Sequence, residues 1–238
     1  MPRPGSTFHF KQFSLDHDKS SMKVGTDAVL LGAWVNAGTS RRALDVGTGS
    51  GVIALMLAQR FPNLSVTGID IHQRSVKQAK NNFERSLWHN RLEAVAAPIQ
   101  KFKPKVKFDL IVSNPPYFNA GNHSPIRYRA EARHTPTLTH DALLQHSSEL
   151  LTSSGSLAVI LPTQDELMFI HSAKKHGFHP WRKMSFKPKR AMKPERVLFQ
   201  FHKNHQAKCD ETEMIHYESD GTWSEQYKAL TREFYLKI

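Results

Sequence analysis

The sequence predicts an α/β protein of the doubly wound, Rossmann-like class, with a mostly parallel sheet of seven strands and a short N-terminal extension. Two observations predict this class. Short apolar runs rich in β-branched residues alternate with helical patterns along most of the 238 residues, as in successive βαβ units. A glycine-rich turn follows the first of these runs, and sheets of this class bind ligands at the carboxyl ends of their strands.

Each element follows from a local pattern. A first helix is expected at 28–35, because Thr26 and Asp27 are good N-cap candidates and Gly38 follows the apolar stretch. The strands are expected in the short apolar runs at 42–46, 64–70, 92–96, 108–113, 155–161, 178–186 and 196–202. The helices are expected at 51–60, 72–88, 138–151, 165–175 and, in the aromatic tail, 222–237.

Composition excludes several classes of protein. Apolar residues make up 39% of the chain, which suffices for a globular core, and no apolar run reaches the roughly 18–20 residues that span a bilayer. The first residues lack the apolar stretch of a secretory signal, and the single cysteine, Cys209, cannot form an internal disulfide. We therefore expect a cytoplasmic protein that has no membrane partner, and no obligate protein partner is evident.

Charge is the strongest feature of the composition. Lys and Arg number 33 against 21 Asp and Glu, a formal net charge of +12, which favours a polyanionic partner such as a nucleic acid. Much of the excess falls within 180–208, where nine basic residues accompany one acid, Glu195. The lysines of 101–107 are expected to form a solvated connection, with contact to a phosphate backbone as the alternative.

A glycine-rich turn connects the first strand of the sheet to the next helix. Gly47, Gly49 and Gly51 alternate with other residues, so the chain can turn tightly and a ligand can approach a helix N-terminus, where free N–H groups favour a carboxylate or phosphate. The spacing differs from the G-x-G-x-x-G of dinucleotide enzymes. Asp70 ends the next strand, where a carboxylate can accept hydrogen bonds from both hydroxyls of a ribose.

A third motif follows the fourth strand, at the same edge of the predicted sheet: Asn114, Pro115, Pro116 and Tyr117. Proline fixes φ and lacks an N–H donor, so this segment is stiff and presents carbonyl groups. The Asn114 side-chain oxygen and the Pro115 carbonyl can accept hydrogen bonds from a planar NH2 group, while the Tyr117 ring offers a face for stacking. The motif therefore indicates a site for an amino group attached to a π-system.

With these motifs the chain resembles the class I S-adenosylmethionine-dependent methyltransferases, and among them the N-methyltransferases with Asn/Asp-Pro-Pro-aromatic. The resemblance covers about residues 23–201 and implies S-adenosylmethionine as the cofactor, with no metal. It implies a catalytic role for residues 114–117, with Asn114 also beside the cofactor. It places the cofactor against Asp45, Gly47, Thr48, Gly49, Gly51, Asp70 and Ile71. Many relatives carry an acid near the adenine where this chain has Ala97 and Pro98.

The N-terminal segment narrows the resemblance. Residues 10–13 and 23–34 resemble the start of the bacterial tRNA (adenine-N6)-methyltransferases that modify valine tRNA next to the anticodon, and residues 127–135 also resemble that family. The resemblance implies that Lys23, Thr26 and Asp27 lie over the cofactor, with a simple helix cap as the alternative. The length of 238 residues favours a single domain, in which we expect 1–37 as a segment covering cofactor and substrate, 38–205 as the catalytic sheet core and 206–238 as a tail.

The predicted tRNA contacts are all basic. The resemblance implies that the tRNA backbone is held by Arg127, Arg129 and Arg133, with solvated loop charges as the alternative. A second candidate contact is the late basic stretch with Lys187, Lys189, Arg190 and Lys193. Its alternative is a basic hairpin that keeps the sheet edge soluble.

The acceptor itself stays open at this point. The motif fits adenine N6 in RNA or DNA, guanine N2 in ribosomal RNA, and the side-chain amide of a protein glutamine. The net charge favours a nucleic acid. A non-catalytic RNA-binding protein with the same fold is the alternative from another class, and the intact Asn114 and Asp70 argue against it.

Overall fold

The structure is a computed structural model that describes residues 7–19, 23–116, 138–203 and 208–237. Ten strands and six α-helices are described in these ranges. The strands are β1 Thr7–His9, β2 Ser14–Asp16, β3 Arg42–Val46, β4 Ser65–Asp70, β5 Leu92–Ala96, β6 Phe108–Ser113, β7 Leu151–Pro162, β8 Phe178–Lys189, β9 Arg196–Lys203 and β10 Asp210–Tyr217. The helices are α1 Thr26–Trp34, α2 Val52–Arg60, α3 Gln73–Glu84, α4 His140–Leu150, α5 Glu166–Lys175 and α6 Glu225–Thr231.

The central sheet has the strand order β10-β8-β9-β7-β6-β3-β4-β5. Strand β9 is antiparallel to both its neighbours, and the remaining pairs are parallel. The predicted doubly wound, mostly parallel sheet is therefore confirmed. The order reverses between β3 and β6, so their carboxyl ends flank the switch point at which such sheets bind ligands.

The sheet has eight strands rather than the predicted seven. The additional strand, β10, runs parallel to β8 at the edge of the sheet and includes Asp210, Glu211 and Glu213. Acidic residues are uncommon in strands, so the sequence pattern did not indicate one here. Ion pairs with β8 compensate: Glu211 and Glu213 lie 3.3 Å from Lys183 and 2.8 Å from Lys187.

Two apolar layers cover the faces of the sheet. Helices α1, α2, α3 and α6 contribute to one layer, and α4 and α5 contribute to the other. Residues Leu157–Leu161 of β7 are fully buried, as expected for a strand covered on both faces. None of the helices in the described ranges has the length and apolar character needed to cross a membrane.

The N-terminal segment forms a small antiparallel hairpin, β1–β2, that packs against the C-terminal segment. Phe10 stacks on Phe13 with ring centroids 4.6 Å apart and meets the edge of Phe234 at 6.4 Å. The Lys11 N–H donates to the Phe234 carbonyl at 2.8 Å. The two ends of the described chain therefore share one aromatic cluster. The tail helix predicted at 222–237 is shorter, since α6 covers only Glu225–Thr231.

Candidate active site

The glycine turn has an open side and a closed side. All three glycines have positive φ, between 55° and 86°, which L side chains rarely adopt. A Cβ atom on Gly47 would meet nothing within 4 Å, and one on Gly49 would meet only a carbonyl oxygen at 4.0 Å. A Cβ on Gly51 would lie 2.4 Å from the Phe83 ring. Gly47 and Gly49 therefore leave room for a ligand, whereas Gly51 leaves room for helix α3.

The backbone amides of the turn bind to β4 rather than facing a ligand. The N–H groups of Gly47 and Thr48 both donate to the Ile69 carbonyl, at 2.8 and 3.0 Å. The Gly49 N–H donates to Asp70 Oδ2 at 3.0 Å. The predicted attraction of an anion by free N–H groups concerns the start of helix α2 and stays a prediction, whereas the N–H groups of these three turn residues are not free. The reason is tertiary: the end of β4 supplies acceptors that a single-sequence pattern does not reveal.

Asp70 is held in a fixed orientation at the end of β4. Its Oδ2 accepts from Gly49 N, and its Oδ1 accepts from the His72 N–H at 2.8 Å. Only 7% of the residue is exposed. Each carboxylate oxygen can accept a second hydrogen bond, so Asp70 can bind a diol while it anchors the turn. Next to it, the apolar side chain of Ile71 is 40% exposed.

Asp45 lies beneath the turn, not on its open side. Its side chain is fully buried, and its Oδ2 accepts from the Thr48 hydroxyl at 2.7 Å. Burial raises the pKa of Asp45 to about 7; the Thr48 hydrogen bond opposes this rise, and the charge of Asp70 adds to it. Thr48 in turn packs over Gly68 of β4, where a Cβ would lie 2.6 Å from Thr48 Oγ1. Asp45 therefore supports the shape of the turn through Thr48.

The Asn-Pro-Pro segment begins beside the glycine turn. Val46 and Ser113 are paired in the sheet, and the Ser113 hydroxyl donates to the Val46 carbonyl at 2.9 Å. Gly47 and Asn114 therefore each follow directly after the last residue of two neighbouring strands, at the same height along the sheet. This places the open side of the turn next to the start of the segment that is predicted to hold the amino group.

Within the segment, Asn114 is half-buried, Pro115 is buried and Pro116 is exposed. A buried proline at this position fixes the backbone that carries its carbonyl. Four predicted site residues lie outside the residues that the structure describes: Tyr117, Arg127, Arg129 and Arg133.

The start of helix α1 is tied to the same edge of the sheet. Gly25 is the N-cap residue and makes no side-chain cap, so Thr26 and Asp27 are not the cap that the sequence suggested. Asp27 Oδ2 instead accepts from Arg196 Nε at 3.1 Å. Lys23 and Thr26 are exposed. Sequence analysis missed the pair between Asp27 and Arg196, because 169 positions separate the two residues.

The late basic stretch divides into paired and exposed residues. Lys187 pairs with Glu213 at 2.8 Å, so its charge is compensated by β10. The turn between β8 and β9 lies at the same edge as the glycine turn, since Arg196, which opens β9, pairs with Pro162 at the end of β7. Three predicted RNA contacts are exposed in this turn: Lys189, Arg190 and Lys193.

Two side-chain amides on α3 hold the N-terminal segment, one of them also bonds to the glycine turn, and sequence analysis missed both. Asn82, which is 1% exposed, donates to the carbonyls of Asp16 at 2.9 Å and Ser50 at 2.8 Å. Gln78, which is 4% exposed, donates to Asp18 at 2.7 Å. The available signal was their spacing of four residues, which puts two amides on one face of an amphipathic helix.

No metal-binding group of three or more His, Cys, Asp or Glu side chains occurs in the part of the chain that the structure describes. The described residues at this edge offer the carboxylate of Asp70, the neutral amide of Asn114, carbonyl groups and exposed cations. The carboxylate of Asp70 borders a turn whose first amides are already bonded, while Asp45 is buried beneath it. Such an arrangement favours a cationic ligand over a phosphate.

The doubly wound sheet, the glycine turn at its switch point and the adjoining Asn-Pro-Pro segment together define a Rossmann-like methyltransferase. Residues 19–170 match the methyltransferase small domain family, and the chain belongs to this family.

Curated relatives match almost the whole chain. A tRNA1(Val) (adenine(37)-N6)-methyltransferase of Vibrio campbellii is 43% identical over 233 residues, covering 97% of this chain and 96% of the relative. A protein of the same name from Bacteroides thetaiotaomicron is 39% identical over 232 residues, covering 97% and 98%. One from Phocaeicola vulgatus is 41% identical over 238 residues, covering all of both chains.

Solved structures share the fold at low sequence identity. A predicted O-methyltransferase from Agrobacterium tumefaciens has a TM-score of 0.69 and 19% identity, covering 87% of this chain and 96% of its own. A methyltransferase from Pyrococcus furiosus has a TM-score of 0.56 and 24% identity, covering 80% and 90%. The N-methyltransferase NodS from Bradyrhizobium japonicum, solved with S-adenosyl-L-homocysteine, has a TM-score of 0.51 and 15% identity, covering 75% and 84%.

Proposed function

We propose that this protein transfers a methyl group from S-adenosylmethionine to N6 of adenine 37 in valine tRNA, which leaves S-adenosylhomocysteine. One observation carries the chemistry: the open glycine turn and the Asn-Pro-Pro segment start from the paired residues Val46 and Ser113. The names of relatives that are 39–43% identical over nearly their full length support the substrate.

The residues at this edge fit the cofactor. Gly47 and Gly49 leave open space where its methionine part would lie, and Asp70 keeps acceptor capacity for the ribose hydroxyls. The exposed apolar side chain of Ile71 offers a surface for the adenine. When bound, the cofactor supplies a methyl group on a positively charged sulfur. The carboxylate of Asp70 suits that charge, and the bonded amides of Gly47, Thr48 and Gly49 would offer little to a phosphate.

On the acceptor side, Asn114 and Pro115 are positioning groups. The lone pair of an adenine amino group is delocalised into the ring, so this nitrogen is a poor nucleophile. Hydrogen bonds from its two protons to the Asn114 side-chain oxygen and the Pro115 carbonyl favour a pyramidal nitrogen with a localised lone pair. The nitrogen forms the new N–C bond as the S–C bond breaks. Because Asn114 is neutral, the surplus proton leaves to solvent after the transfer.

The tRNA would be held by cations around the same edge. Lys189, Arg190 and Lys193 are exposed there, and charge-assisted contacts to phosphates position a nucleic acid without reading its sequence. We retain Arg127, Arg129 and Arg133 in this proposal on the basis of family resemblance. The target base has to leave its stack to reach Asn114, which an anticodon loop allows at a lower free-energy cost than a duplex.

The test is a methyl-transfer assay with radiolabelled S-adenosylmethionine. Unmodified total tRNA, ribosomal RNA and a release factor are offered separately, and the labelled product is digested to nucleosides or amino acids. We expect N6-methyladenosine from tRNA alone, mapped to adenine 37 of valine tRNA. Label only in guanine N2 or in protein glutamine would contradict the proposed substrate, and no label in any acceptor would contradict the proposed activity.

A further inference from the structure

A second group of cations lies at the edge of the sheet opposite the candidate active site. This amino-edge cluster consists of Arg41, Arg42, Lys103, Lys105, Lys107 and Lys203. Strands β3 and β6 run parallel and begin at this edge, while β9 is antiparallel to β7 and ends there. All members except the half-buried Lys203 are exposed.

Hydrogen bonds hold the cluster together. Asp109 Oδ2 accepts from the backbone N–H groups of Arg41 and Arg42, at 3.0 and 3.1 Å. The Arg42 Nε donates to the Lys107 carbonyl at 2.9 Å, and Lys203 Nζ donates to the Ser148 carbonyl at 2.8 Å. These bonds fix the start of β3 against the start of β6 and the end of β9 against α4. The backbone segments that carry these cations are therefore held at one edge of the sheet.

The charges in this cluster are poorly compensated. Two carboxylates lie among the six cations, Asp109 and Glu149, and Glu149 also contacts His146 at 3.1 Å. Neighbouring cations repel each other; burial and the charge of Lys107 both lower the pKa of Lys203. A fixed group of like charges destabilises the free protein but favours a polyanionic partner. The excess of four positive charges is about a third of the net +12 of the chain.

The cluster is too distant to contact the nucleotide that is methylated. Strand β6 has six residues, and at about 3.3 Å per residue it separates the two edges by roughly 20 Å. A nucleic-acid duplex advances about 3 Å per base-pair step, so six or seven steps cover the same distance. A tRNA whose anticodon loop lies at the glycine turn is long enough to run along the flank of the protein and reach the opposite edge.

We propose that the amino-edge cluster binds phosphates in the body of the tRNA, outside the anticodon stem-loop. This inference rests on the proposed function and extends it to a second contact surface. The cluster contributes affinity that weakens with salt, because each phosphate contact releases counterions from the RNA. It does not read sequence and takes no part in methyl transfer.

The test compares the affinities of one variant for two RNAs. Lys103→Gln, Lys105→Gln and Lys107→Gln are combined, and affinity is measured for full-length valine tRNA and for its isolated anticodon stem-loop across a range of salt concentrations. The matched control combines Lys77→Gln, Lys80→Gln and Lys174→Gln, which removes the same charge from exposed positions elsewhere. Thermal unfolding checks that both variants are folded.

We expect the amino-edge variant to bind full-length tRNA about five- to twenty-fold more weakly, with a log affinity–log salt slope that is shallower by about 2 for three lost contacts. Its binding of the stem-loop and its kcat stay at the wild-type values, and the control variant behaves like the wild type. An unchanged affinity for full-length tRNA would overturn the inference, as would equal losses with both RNAs or with both variants. Failure of the proposed function is distinguishable, because the wild-type protein would then methylate neither RNA.

Discussion

Asn82 and Asp16 are joined by two hydrogen bonds: the Asp16 N–H donates to Asn82 Oδ1 at 3.0 Å, and Asn82 Nδ2 donates to the Asp16 carbonyl at 2.9 Å. The same Nδ2 donates to the Ser50 carbonyl in the glycine turn at 2.8 Å. One buried amide thus connects the N-terminal segment with the backbone of the glycine turn.

Replacing this amide should affect both structures that it joins. Asn82→Leu leaves buried backbone groups of Asp16 and Ser50 without partners, so we expect it to lower the free energy of unfolding by about 2–3 kcal/mol. We also expect weaker binding of S-adenosylhomocysteine by about ten-fold. Gln78→Met is the control, since Gln78 bonds to the N-terminal segment but has no bond to the turn. Urea unfolding and calorimetric binding provide the measurements, and equal cofactor affinities for the two variants would contradict the prediction.

Substitutions at two glycines of the turn should have different effects: one should mainly lower stability, and the other should mainly weaken cofactor binding. Gly51→Ala places a Cβ against Phe83, so we expect a loss of about 3 kcal/mol or more in the free energy of unfolding. Gly47→Ala meets open space and should cost only about 1–2 kcal/mol, from its positive φ, while it obstructs the cofactor. Unfolding and binding curves for both variants check this. The assignment fails if Gly51→Ala loses mainly affinity and Gly47→Ala loses mainly stability.

Asn114 should be needed for methyl transfer but not for folding. Asn114→Ala removes an acceptor for the target amino group, and we expect kcat to fall by at least about 100-fold. Cofactor affinity should change by less than about three-fold, because the turn and Asp70 are intact. Single-turnover assays with labelled cofactor measure the first quantity and calorimetry the second. Surviving activity would show that this motif does not position the acceptor.

Asp45 should make stability depend on pH near neutrality. Its folded-state pKa of about 7 lies above the unfolded value of 3.8, so the folded chain binds the extra proton between these two values. Stability therefore falls as pH rises through this window, by at most about 1.4 kcal/mol per pH unit, and levels off above it. Asp45→Asn should remove this contribution. The free energies of unfolding of the wild type and of Asp45→Asn at pH 5, 6, 7 and 8 test this direction. Parallel curves of stability against pH for the two proteins would refute it.

The basic turn between β8 and β9 should bind tRNA through its exposed residues. Combining Lys189→Gln, Arg190→Gln and Lys193→Gln should weaken tRNA binding and make its salt dependence shallower by about 2. Lys187→Gln is the comparison, since Glu213 already compensates that charge and the loss should be smaller. Filter binding at several salt concentrations distinguishes the two variants. A larger loss with Lys187→Gln would reverse the interpretation.

Local patterns were enough to predict seven of the eight strands of the sheet and the motifs at its carboxyl edge. The apolar strands ending at Val46, Asp70 and Ser113 alternate with helices, and the motifs follow directly after these strands. The features that could not be predicted depend on partners that are distant in the sequence. The amides of the glycine turn bond to Ile69 and Asp70 on the next strand, and no property of the turn itself reveals that.

Strand β10 also could not be predicted from its own residues. Its acidic residues have low strand propensity, and its position is stabilised by cations of β8 about thirty positions earlier. Asp27 likewise has the appearance of a cap residue until Arg196 is brought beside it. Propensity describes one segment at a time, whereas these contacts depend on the completed sheet.

The aromatic cluster that unites Phe10 with Phe234 sets an order for folding. Ribosomes synthesise the N-terminal hairpin first, but its docking surface includes residues more than 220 positions later. Until those residues arrive, the hairpin can dock only on helix α3, through Asn82 and Gln78, and the Phe10 side of its aromatic cluster stays accessible to chaperones or to other chains. The bonds of Asn82 to Asp16 and Ser50 need no residue of the tail, so the hairpin can join the glycine turn while the sheet forms, whereas its aromatic cluster is completed only after the last residues of the chain are made.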